Sequence, residues 1–128
     1  MISVTQKIRA GLAVLVIGMG SARADGVLTP AHGGKMVESH GQRLELTVRE
    51  STVDLFLADH GNQPISAMGA TGKVVFLVNG KRVETAINPA GENRLSGNAP
   101  EAVTGFSSAV ITVERDGKPL SARISATH

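Results

Sequence analysis

Between Gln42 and His60, apolar and polar residues alternate in two runs separated by a polar break. Leu44, Leu46 and Val48 alternate with Glu45, Thr47 and Arg49, and Val53, Leu55 and Leu57 resume the pattern after Arg49–Thr52. A period of two marks a strand with one buried face. A fold-back centred on Glu50–Ser51 sets Val48 against Val53, Leu46 against Leu55 and Leu44 against Leu57, so that all six share a face. Slipping the register by one residue would turn one of the sets outward. No Asn-Gly or Asp-Gly pair marks this turn, and a four-residue loop would give the same register, so its type stays open.

Two more hairpins follow from stronger turn chemistry. Asn79-Gly80 is a preferred type I′ pair, and pairing Val78 with Lys81 places Phe76 opposite Val83 and Val74 opposite Thr85. Asp116-Gly117 does the same for Ser108–Ser125, with Val113 facing Leu120, Ile111 facing Ala122 and Ala109 facing Ile124. Lys35–Ser39 reads as a short strand at a sheet edge, open to strand addition by a partner. Asp59–Pro64 is a turn by composition, and Ile65–Thr71 is a short strand or a crossing segment. Asn88–Pro100 reads as a loop anchored by Leu95, and Val103–Phe106 stays ambiguous. About seven strands with one apolar face each predict an all-β fold, an antiparallel Ig-like β-sandwich over residues 35–128. Residues 25–34 form an extended leader before it, punctuated by Pro30 and Gly33-Gly34.

The first 24 residues stand apart from this pattern. Lys7 and Arg9 precede the apolar run Ala10–Gly20, and Ser21-Ala22-Arg23-Ala24 supplies a small-residue site. These are the three parts of a secretory signal, with cleavage expected before Asp25 and a periplasmic destination. The segment also distorts the charge balance. It holds Lys7, Arg9 and Arg23 and no acid, so of 13 basic and 11 acidic residues, ten and eleven remain after cleavage. A near-neutral chain with three Phe and no Trp or Tyr has neither the basic patch nor the stacking platform of a nucleic-acid binder. With no cysteine, neither a disulfide nor a thiol nucleophile is available, and stability rests on packing, a metal or a partner.

Catalytic motifs are missing as well. The chain has no G-x-S-x-G and no phosphate loop opening a helix, and it is not read as an enzyme. Glu38, Glu45, Glu50, Asp54 and Asp59 lie on or beside strands, where a solvated outer face is the expectation. Metal binding is the better chemical idea. His32, Met36, His40 and His60 fall within one stretch, and imidazole with thioether favours copper, above all Cu(I), over hard cations. In the hairpin register His60 falls opposite Gly41, beside His40, but the two rings have opposite parity in a regular ladder. Phe56, on the polar side of its strand opposite Glu45, and Val74–Val78, apolar on both faces, are to be covered by a loop or to mark docking patches.

Several strings carry a resemblance. They are His32-Gly33-Gly34, Leu44-Glu45-Leu46, Asp54-Leu55, Asp59-His60-Gly61 with Pro64, Gly69-Ala70-Thr71-Gly72, and Asn88–Gly97. Together, over residues 32 to 125, they resemble small bacterial periplasmic proteins associated with heavy-metal efflux. They are also similar to the N-terminal domain of some adaptor subunits of resistance-nodulation-division pumps. The resemblance implies a periplasmic β-sandwich linked to copper, zinc, cobalt or cadmium, and His32 and His60 fall in the matching strings. The expected function is therefore an accessory protein of heavy-metal efflux or resistance that binds copper or zinc weakly, with a periplasmic efflux adaptor or pump component as partner. The alternative is a metal-free module that docks on a pump or envelope component.

Overall fold

A computed structural model describes residues 28–125. The expected signal segment, the first residues of the leader and His128 lie outside the described residues. The described residues form eight strands: β1 Lys35–Ser39, β2 Gln42–Arg49, β3 Thr52–Asp59, β4 Ala70–Val78, β5 Lys81–Pro89, β6 Arg94–Asn98, β7 Ser108–Arg115 and β8 Lys118–Ser125. All pair antiparallel in one sheet, in the order β8-β7-β4-β5-β6-β3-β2-β1.

The three expected hairpin registers are the observed ones: Leu46 faces Leu55, Phe76 faces Val83 and Val113 faces Leu120. Asn79 and Gly80 take φ of 53° and 78°, and Asp116 and Gly117 take 54° and 73°, the paired positive values that a type I′ turn requires. His40-Gly41, at 52° and 77°, closes the β1–β2 hairpin in the same way. The Glu50–Ser51 turn is a two-residue connection held from outside. Val103 N–H donates to the Glu50 carbonyl, Ala99 N–H to that of Ser51, and the Thr104 hydroxyl accepts from Glu50 N–H.

Two expectations need correction. Asn88–Pro100 is not all loop, because β5 runs to Pro89 and Arg94–Asn98 forms β6. Leu95, fully buried opposite Leu55, draws this segment into the sheet and adds the eighth strand to the seven expected. The second correction concerns the layers. Instead of two separate sheets there is one, in which β8-β7-β4-β5 and β6-β3-β2-β1 are joined by the short pairing of Asn88 with Ser96 and Pro89 with Leu95. The sheet nearly closes on itself: at the far seam the Ser39 hydroxyl donates to the Ser121 carbonyl of β8 at 2.9 Å.

Side chains from both halves fill the interior. Leu44, Leu55, Leu57 and Leu95 from one half meet Val74, Phe76, Ile87 and Ile111 from the other. Val103 and Phe106, whose role the sequence left ambiguous, plug one end as a loop, and the Phe106 ring meets Phe76 edge-on at 5.2 Å. Ile65–Gly69 is a crossing segment, tied down where Arg115 donates to the Ser66 and Met68 carbonyls.

Candidate functional site

The chemistry gathers on the outer face of β1, β2 and β3. The pairing registers put Met36, Glu45 and Phe56 in one row across these strands and Glu38, Arg43 and Ala58 in the next. Alternation alone sends this face to solvent, but the leader folds back over it.

Glu45 is the anchor. It was expected on a solvated face, yet it is only 2% exposed. Its carboxylate accepts the backbone N–H groups of Ala31 at 3.1 Å, His32 at 2.8 Å and Gly34 at 2.9 Å. The His32 Nδ1 lies 2.9 Å from the same carboxylate. Burial alone would push the Glu45 carboxyl up. The His32 ring and the N–H groups of Gly34 and His32 favour the charged form and hold it below the usual carboxylate range.

The Gly33-Gly34 pair makes this convergence possible. Gly33 takes φ of 75°, which turns the chain, and Gly34 lies so close to the Leu46 carbonyl that a Cβ would collide with it. The His32 ring then lies flat on Phe56, with centroids 3.7 Å apart and planes within 10°. Phe56 is thus covered by the leader, the first of the two outcomes expected for it. No periodicity rule could have found Glu45. The available signal was a Gly-Gly pair eleven to twelve residues before a strand glutamate that faces an aromatic residue.

His32, Met36, Arg43, Glu45, Phe56 and Asn62 line a half-open cleft of about 180 Å³ under the leader. Of the four expected metal ligands, His32 and Met36 share this cleft. His60 sits beside it on the Asp59–Pro64 turn, with Nδ1 2.5 Å from Glu38. That hydrogen bond is the main cause holding the Glu38 carboxyl below its usual range, and Arg43, 3.3 Å away, acts in the same direction. Arg43 also donates to the Asn62 side chain at 2.8 Å, which ties the turn to β2. His40 stands apart at the tip of the β1–β2 turn, its ring 3.0 Å from the Ser39 hydroxyl. The type I′ conformation that its Gly41 neighbour imposes keeps it there. The four residues do not form one site, and among the described residues no three His, Asp or Glu side chains are grouped to hold a metal ion.

The donors left at the cleft are one imidazole and one thioether. The Glu45 carboxylate is already occupied by hydrogen bonds, and imidazole and thioether are donors that suit a soft cation. Comparison of the chain with protein-family models, with curated proteins and with solved structures finds no match.

Proposed function

We propose that this chain is a periplasmic accessory protein of heavy-metal efflux or resistance, and that it binds a soft cation, copper(I) in the first instance, weakly at His32 and Met36. One observation carries the reading: the folded-back leader brings a histidine to the same cleft as a strand methionine. Weak binding fits a protein that hands its ion on, because a two-donor site half open to solvent releases as readily as it captures. Zinc is the less suited ion, since it asks for four donors. We further read the two four-stranded halves as the facing layers of a sandwich-like barrel, supported by the core that they share.

Silver(I), a stand-in for copper(I) that needs no reductant, tests the site. Added to the protein, it should shift the His32 ring and Met36 methyl resonances together and saturably, and His32→Ala or Met36→Leu should abolish the response. Shifts confined to His40 or His60, or none up to millimolar silver, would overturn the assignment.

A second reading, a docking module that works without metal, draws on a different place. Met68 is 80% exposed beside a groove lined by Pro64, Ile65 and Pro89, at the opposite end from the Phe106 plug. Capture of an efflux adaptor that survives chelator and is lost in Met68→Glu would favour it.

A further inference from the structure

A neutral imidazole carries one N–H and one lone pair, and the hydrogen bond made by one nitrogen decides the state of the other. At His32 the partner is decided. Glu45 is buried and ringed by three backbone N–H donors, an environment suited to a carboxylate and hostile to a carboxylic acid. A carboxylate can only accept, so the His32 nitrogen 2.9 Å away must be the one that bears hydrogen. The Phe56 face holds the ring plane as the Glu45 bond holds its rotation. Nε2 then keeps the lone pair, on a side chain that is 45% exposed.

We propose that Glu45 is a positioning residue: it locks His32 as the Nδ1–H tautomer and so makes Nε2 the atom presented to a soft monovalent cation, with Met36 as the second donor. The inference rests on the metal reading above and adds to it the ligand atom and the group that selects it. Metal-bound histidines commonly use their second nitrogen in this way, and removing the acceptor weakens binding by roughly 10–100-fold. Glu45 does not touch the cation; its effect passes through the imidazole.

The test uses protein labelled with ¹⁵N-histidine, studied by long-range ¹H–¹⁵N correlation at pH 8, first without metal and then with silver(I). His32 should show a pyrrole-like Nδ1 and a pyridine-like Nε2 before any metal is added, and silver should move Nε2 and not Nδ1. In Glu45→Gln the His32 tautomers should become mixed and silver affinity should fall about tenfold or more. An Nε2–H tautomer or an even mixture in the wild-type protein would overturn the inference, as would a Glu45→Gln protein whose His32 stays locked. An Nδ1–H tautomer with Nε2 untouched by silver would instead overturn the metal reading and leave the role of Glu45 standing. The wild-type measurement decides the matter even if Glu45→Gln fails to fold.

Discussion

Each half of the sheet sets an outward glutamate opposite an apolar residue, and the two glutamates are treated in opposite ways. On β2, Glu45 faces Phe56 of β3; on β5, Glu84 faces Val75 of β4. Both glutamates point outward by strand parity. Glu84 remains about half exposed among Lys73 and Arg82, at 3.8 and 3.6 Å, a loose surface arrangement of small energetic weight. Glu45 is sealed beneath the leader and holds it with four contacts. The same contrast extends to the apolar partners, since His32 covers Phe56 while Leu77 and Val110 on the other half stay open to solvent. Strand pattern decides which way a side chain points. Whether that direction means water depends on what the rest of the chain lays over it.

Substitutions can break this comparison in graded steps. The core belongs to both halves, so Phe76→Ala should cost the most, about 3–5 kcal/mol in denaturant unfolding, and should lower stability at every site together. Glu45→Ala comes next. Leaving the N–H groups of Ala31, His32 and Gly34 without their acceptor should cost about 2 kcal/mol and raise hydrogen exchange at those three amides first. Phe56→Ala should cost about 1–2 kcal/mol and loosen the His32 ring while Glu45 still holds the backbone. Glu84→Gln, the matched change on the open half, should stay within about 0.5 kcal/mol.

Acid sharpens the same contrast. The folded-state Glu45 carboxyl lies below its ordinary value of 4.5, so its contribution is complete above that pH and is lost as pH falls through the depressed value. Hydrogen exchange between pH 6 and pH 3 should therefore show the leader amides released before the β4–β5 ladder. Simultaneous release of both would mean that the two halves do not differ in this way.

Much of the architecture was legible because the code for it is local. Alternation fixed which residues share a face, and Asn79-Gly80 and Asp116-Gly117 fixed two registers outright. The eighth strand was hidden because Arg94–Asn98 has a single large apolar residue, Leu95, set among Gly, Ser and Asn. Its strand character comes from its neighbours: β3 takes it on one side and β5 on the other. The candidate site was half legible. Residue chemistry pointed to His32 and Met36, but it also pointed to His40 and His60, and only tertiary folding separates them. Glu45 was misread because its burial depends on a segment that carries no strand pattern of its own.

Among the described residues, the turns of three hairpins supply their own reversal, through Gly41, Gly80 and Gly117. The Glu50–Ser51 turn borrows its support from Thr104, which is 54 residues further along the chain. Hairpins with self-sufficient turns close within about 1–10 μs, whereas a join between distant residues must wait for the chain to compact. Turn chemistry thus predicts an order of assembly: the ribbons flanking Gly41, Gly80 and Gly117 should zip early, and the end of the sheet at Glu50 should be sealed last. Thr104→Ala should accordingly speed unfolding and leave the folding rate almost unchanged, the kinetic mark of a late clasp.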